Sequence, residues 1–228
     1  MEEKKKILFV VTNHSKLGDT GKETGFYLSE VSHPWKILHD AGYEVDFVSP
    51  NGSKAPVDAL DLDDSVNKEF WENEKYRNKI DNTLKPEEIK LEEYIAIHYA
   101  GGHGTMWDFP ESYELTEIAR HIYEENNGYI TAVCHGPSGL LNIRLNDGGY
   151  LVEAKKVNSF TNEEEVEVGL DKVVPFLLES KLEGRGAKFE KSDKFKEHVT
   201  VDERLITGQN PASAKAVGEE LLKQLNNN

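Results

Sequence analysis

Cysteine is nearly missing from this chain: Cys134 stands alone in 228 residues. A single thiol excludes an internal disulfide and any zinc site built from several cysteines. Long apolar runs are missing too, and none approaches the roughly 18–20 residues that a membrane-crossing helix needs. Positive charge is in short supply, with 27 Lys and Arg against 42 Asp and Glu and a formal net charge of −15. That balance argues against nucleic acid or an anionic membrane as the partner. The opening "MEEKKKILFVVTN" has basic residues, but its apolar run is too short for a signal peptide and no small-residue cleavage site follows. Internal repeats and low-complexity linkers are also missing. The expectation is a cytoplasmic protein folded as one domain over residues 1–228, its core drawn from the 37% of residues that are hydrophobic.

What is present reads as alternating strands and helices. "KILFVV", from Lys6 to Val11, is a continuous apolar run, as in a strand covered on both faces. In "SHPWKILHDAG", Ser32 as cap, Pro34 in the first turn and Gly42 past the end predict a helix. "YEVDFVSP" reads as the second strand. Residues 55–93 are acidic, mostly helical in pattern and interrupted at Pro86; they read as an insertion packed on the core through Phe70, Trp71 and Tyr76. A third strand spans Tyr94 to Ala100 and runs into a glycine turn. "SYELTEIARHIYEENNG" is an amphipathic helix with Leu115, Ile118, Ala119 and Ile122 on one face. The strand "YITAVCH" follows, then a short helix from about Pro137. "KKVNSF" reads as a strand, "VVPFLLESKLEGRG" as a helix from about Val173, and "HVTVDERLITG" as a hairpin turning at Asp202-Glu203. Asn210 as cap and Pro211 open a final helix, and the closing Asn-Asn-Asn reads as frayed. The simplest fold for this alternation is α/β, a mostly parallel sheet with helices on both faces.

Ligands in such sheets gather beyond the carboxyl ends of the strands, and three groups with chemistry fall there. Cys134 ends one strand at a Gly-Pro-Ser-Gly turn. A free cysteine is most often a small buried hydrophobe, but this turn exposes its side chain to the N-terminal end of the next helix, which favours the nucleophilic thiolate. The "GGHG" turn at residues 101–104 lets the backbone approach a ligand and can offer N–H groups to an oxyanion; His103 reads as a turn residue rather than a base. Glu30 sits among Phe26, Tyr27, Leu28 and Val31, just before the first helix. Burial there would raise its pKa and let it carry a proton, whereas a solvated loop carboxylate would do nothing. Glu163, Glu164 and Glu165 read as a charged helix start, one of which can also orient a histidine.

Together "EVSHP", "AGGHGTMWDFP", "AVCHGPSG", "SFTNEEE" and "RLITGQNPASA" resemble the ThiJ/PfpI superfamily, and within it the branch of glutathione-independent glyoxalases also described as Hsp31-like stress chaperones. The resemblance spans nearly the whole chain in order. It implies a flavodoxin-like core related to class I glutamine amidotransferases, and a homodimer. By the same resemblance Cys134 is the nucleophile, His135 its adjacent histidine and Glu30 the proton-shuttling acid. Gly101 and Gly102, with the His135 backbone, match the oxyanion-binding amides, and Glu165 the acid of the triad. Trp107 is expected beside a narrow pocket. The implied activity converts methylglyoxal, a small 2-oxoaldehyde, to lactate. No metal or organic cofactor is needed, because the thiol does the covalent work. A holding chaperone, a deglycase, a PfpI-type cysteine peptidase or amidase, and a bare redox sensor are the competing expectations.

Overall fold

The computed structural model describes residues 6–227; the basic start and Asn228 lie outside them. The chain begins with β1 (Lys6–Val10), a short β2 (Phe26–Tyr27), α1 (Leu28–Asp40) and β3 (Glu44–Val48). A two-residue β4 (Val57–Asp58) pairs with β2 and leads to α2 (Ser65–Glu72) and α3 (Glu74–Asp81). Next come β5 (Tyr94–Tyr99), the one-turn α4 (Thr105–Asp108), α5 (Tyr113–Glu124) and β6 (Tyr129–Val133). Beyond a 3-10 turn at Gly136–Leu140, β7 (Lys156–Val157) and β8 (Lys188–Phe189) pair around α6 (Asn162–Glu167) and α7 (Leu178–Gly184). The hairpin β9 (Val199–Asp202) and β10 (Leu205–Gly208) precedes α8 (Ala214–Asn226).

The main sheet has the order β3-β1-β5-β6-β10-β9. Every neighbouring pair is parallel except the β9–β10 hairpin. Side chains alternate across it and feed two cores. Leu8, Val10, Ile97, Tyr99, Ile130 and Ala132 meet α5 and α7 on one face. Ile7, Phe9, Ala96 and Val133 meet α1, α8 and the acidic segment on the other. Chain order reverses between β1 and β5, so their carboxyl ends form the crevice where α/β sheets take ligands. No helix among the described residues is long and apolar enough to cross a membrane.

The acidic segment 55–93 lies against the outer face through Phe70 and Tyr76, both buried, while Trp71 is half-buried under Arg77. It also covers the β3 edge. The Leu84 N–H donates to the Phe47 carbonyl (2.8 Å) and Lys79 Nζ to the Val45 carbonyl (2.7 Å).

Three local expectations need correction. Helix α1 begins a full turn before Ser32, at Leu28, and Pro34 lies inside it. Ser32 instead donates to Asn67 Oδ1, tying α1 to α2. The stretch from Val173 becomes helical only at Leu178, after Pro175, because the residue before a proline disfavours helical backbone. Asn210 does not cap the last helix. Its amide donates to Glu164 and to the Lys196 carbonyl, and a 3-10 turn at Pro211–Ser213 leads into α8, which continues to Asn226.

Candidate active site

Cys134 follows β6 with φ +60, a left-handed conformation that a non-glycine residue adopts only when its surroundings impose it. Its N–H donates to the Gly208 carbonyl and its carbonyl accepts from Phe160 N–H, each at 2.9 Å. These clamps turn the side chain away from the sheet and toward His135, whose Nδ1 lies 3.2 Å from Sγ. The thiol is buried. Burial pushes it up, and the charges of Glu30, Glu164 and Glu165 push the same way. The expected thiolate is therefore not the resting form. The element after Cys134 is a short 3-10 turn rather than an α-helix, so the aligned helix dipole expected to favour the thiolate is not built there.

Glu30 lies in the first turn of α1, not in the loop before it. Its carboxyl is fully buried, accepts the Gly101 N–H at 2.7 Å through Oε2, and leaves Oε1 without a hydrogen-bond partner among the described residues. Burial raises it to about 8, against the opposing pull of the Cys134 thiol and the Gly101 N–H. At neutral pH Glu30 is thus a carboxylic acid beside the sulfur. Its backbone is set by Pro34, which has no N–H for the Glu30 carbonyl. His98 Nε2 meets that carbonyl at 2.9 Å, while its Nδ1 pairs with Thr131 Oγ1 at 2.7 Å. Burial lowers His98 to about 4, so it is neutral, with its one N–H on Nε2.

The glycine turn after β5 is divided between two tasks. A Cβ at Gly101 would stand 2.5 Å from Glu30 Oε2 and 2.7 Å from the His135 nitrogen, so only glycine fits. The Gly101 N–H, expected to face an oxyanion, is committed to Glu30 instead. Gly102, with φ +102, and His135 are different. Among the described residues neither of their N–H groups donates to a protein acceptor. Thr105 Oγ1 donates to the carbonyls of Gly102 (2.9 Å) and His135 (3.1 Å) and holds the two turns in register.

Behind Cys134 the structure brings His135 Nε2 within 2.8 Å of Glu165 Oε2. His103 Nε2 takes the other oxygen, Oε1, at 2.9 Å, and the two imidazoles lie 4.1 Å apart between centroids. Both histidines hold Glu165 down to about 2. Burial, reinforced by His103, lowers His135 to about 4. His103, read as a turn residue, is thus part of the cluster; its partner lies 62 residues away, which no local pattern announces.

The three consecutive glutamates have three fates. Glu163 pairs with Lys191 at the surface. Glu164 is buried and takes donors from Thr161, Phe195, Gln209 and Asn210, which anchors the start of α6. Glu165 alone faces the histidines. Trp107 is half-buried and stacked on His14, 4.9 Å between ring centroids. The ring that packs on His135, at 4.6 Å, is Phe160.

A sequence profile of the DJ-1/PfpI family matches residues 22–224. The chain belongs to the DJ-1/PfpI family. Within it, the chain is 30% identical to "Glutathione-independent glyoxalase HSP31" of Saccharomyces cerevisiae, covering 98% of this chain and 99% of that protein. Among solved structures it is similar to the Rapid Encystment Protein 24 KDa of Francisella tularensis, with TM-score 0.93 and 37% identity over 97% of this chain and 99% of the other. Glyoxalase III from Candida albicans superposes with TM-score 0.89 and 26% identity over 97% of both chains.

Proposed function

We propose that this DJ-1/PfpI member converts methylglyoxal to lactate without glutathione, through a covalent adduct on Cys134. The observation that carries the reading is Glu30: a buried carboxylic acid, protonated at neutral pH, set beside the only thiol. A hydrolase needs an activated nucleophile and a base. Moving hydrogen between two carbons of a bound 2-oxoaldehyde needs, in addition, a proton carrier next to the adduct. The glyoxalases among the relatives support the same choice.

As Cys134 sulfur adds to the aldehyde carbon, its proton passes to His135 Nδ1 and Glu30 protonates the aldehyde oxygen. The product is a hemithioacetal, whose oxygen the Gly102 and His135 N–H groups are free to steady. Glu30, now a carboxylate, removes the proton from that carbon, and the neighbouring carbonyl oxygen takes the proton held by His135, giving an enediol. Glu30 returns its proton to the neighbouring carbon and recovers one from the first carbon's hydroxyl, leaving a lactoyl thioester. Water then attacks the thioester. His135 takes its proton and passes it to the departing sulfur, and lactate leaves with every group restored. Glu165 fixes the tautomer and orientation of His135 throughout.

Incubation with methylglyoxal and no thiol cofactor, scored for lactate by NMR, tests the reading. Lactate formation above the buffer rate is expected. Its absence, with Cys134 still acylated by activated esters, would transfer the site to the hydrolase reading. The proposal includes a cytoplasmic homodimer, supported by the family likeness; light scattering at micromolar concentration that returned the mass of one chain would remove the dimer without touching the chemistry.

A further inference from the structure

His103, His135 and Glu165 each offer a ligand-type atom, and the three lie within 4.8 Å of one another. The mechanism above uses only the His135–Glu165 edge of this cluster and gives His103 no task. The geometry points to an inhibitory binding site for a divalent transition-metal ion of the zinc class, held by two imidazole nitrogens and one carboxylate.

The donor set selects the ion. Two imidazoles and a carboxylate with open positions suit zinc, cobalt or nickel, whereas magnesium and calcium favour oxygen ligands. The spacing permits it. Three atoms mutually within 4.8 Å lie at most about 2.8 Å from a common centre, so each moves less than about 1 Å to reach zinc bond lengths of roughly 2.0–2.2 Å. Both Nε2 atoms already point at the two oxygens of one carboxylate, at 2.9 and 2.8 Å, and an ion would replace the two bridging protons. The buried Glu164 carboxylate favours positive charge at His135, whereas Glu163 and Glu167 on the same short helix α6 are already paired with Lys191 and Lys194. The route in passes His103, whose side chain is 18% exposed against 1% for His135.

Cys134 stays outside the ligand set, because its sulfur faces Nδ1, on the other side of the His135 ring. Inhibition follows without any contact to the thiol. Neutral His135 has one N–H, which lies on Nε2 toward Glu165. A metal on Nε2 sends that proton to Nδ1, and Nδ1 can then no longer accept the proton of the Cys134 thiol. Apart from the three metal–ligand bonds, only N–H bonds change and nothing is oxidised, so removing the ion restores the base.

The inhibitory consequence rests on the proposed glyoxalase reading; the binding itself does not. The test is therefore a titration of the chelator-treated full chain with cobalt(II), read by its visible absorption. It is run first in Cys134→Ala, where no thiol remains. One equivalent should bind with nitrogen/oxygen-type bands and be displaced by zinc. Adding His103→Ala or His103→Gln, each checked for fold by circular dichroism, should weaken binding by at least the roughly 10–100-fold that losing even an outer-sphere partner costs. In the unsubstituted protein, zinc should stop lactate formation and EDTA restore it. Loss of cobalt binding in Cys134→Ala, or unchanged affinity in both His103 variants, would overturn the site. Binding that depends on His103 in a protein making no lactate would leave the site standing and remove the glyoxalase reading.

Discussion

His98 hydrogen-bonds the backbone carbonyl of Glu30 at 2.9 Å, filling the place that Pro34, inside the same helix, leaves without a donor. The segment that carries the buried Glu30 carboxyl is thus held to the central strand β5 by a bond across the core. His98→Phe should leave a buried carbonyl unsatisfied and cost about 1–3 kcal/mol of stability. Pro34→Ala in that background supplies the missing N–H and should recover part of the loss. Denaturant titration of the two variants decides; no recovery in the double variant would mean that the bond is incidental.

Glu30→Gln separates catalysis from stability. Turnover should fall by roughly the 10²–10⁴-fold typical of general acid–base catalysis, while a methylglyoxal adduct on Cys134 is still trapped in the mass spectrum. Stability should move the other way. The folded-state value of about 8 against the ordinary 4.5 means that the folded protein retains a proton which the unfolded chain releases between those limits. Its stability therefore declines as pH rises through that window, by at most roughly 1.4 kcal/mol per unit. Glutamine does not titrate. Its thermal midpoint should match the parent near pH 4 and exceed it most clearly above pH 8.

The pH profile of kcat/KM should be a bell. Its acid limb falls as His135, lowered to about 4, gains a proton and stops accepting one. Its alkaline limb falls as Glu30, near 8, loses the proton it must donate. Because burial and the nearby carboxylates raise the Cys134 thiol, iodoacetamide labelling should keep accelerating above pH 9. A rate profile that rises through pH 8, or labelling that levels off near neutrality, would restore the resting-thiolate picture.

Neighbouring glutamates should fail in different ways. Glu164→Gln cannot serve all the donors converging on that carboxylate, and it should lower the thermal midpoint with a secondary loss of rate. Glu165→Gln removes a carboxylate that both histidines stabilise and should lower the midpoint as well, but its distinguishing mark is slowed hydrolysis of the acyl-enzyme, so that a lactoyl adduct accumulates. Burst kinetics with calorimetry on both variants tell them apart.

Cys134→Ala should abolish lactate formation and preserve the circular dichroism spectrum. Comparable turnover in that variant would falsify covalent catalysis at this site.

The strands were legible because buried parallel strands are continuous apolar runs, as in "KILFVV" and "YITAV", and the lone cysteine at the end of one marked the elbow. Features decided by distant partners were not. Ser32 and Pro34 look like the start of a helix, yet α1 begins earlier because His98 satisfies the carbonyl that a mid-helix proline orphans. Asn210 has the form of a cap, but the buried Glu164 competes for its amide. Gly101 and Gly102 look equivalent, and only the depth of Glu30 separates their roles. The choice among Glu163, Glu164 and Glu165 follows from the rotation of a helix one and a half turns long, which spacing alone does not fix.

The acidic segment that lies along β3 has a further consequence, for the fate of a shortened chain. Leu84 and Lys79 occupy backbone acceptors on the outermost strand, groups that would otherwise offer a template for another molecule's strand. Excising residues 55–93 would not yield a minimal enzyme. It would uncover Phe47 and Val45 along an unpaired strand edge, and the product should grow by strand addition into aggregates.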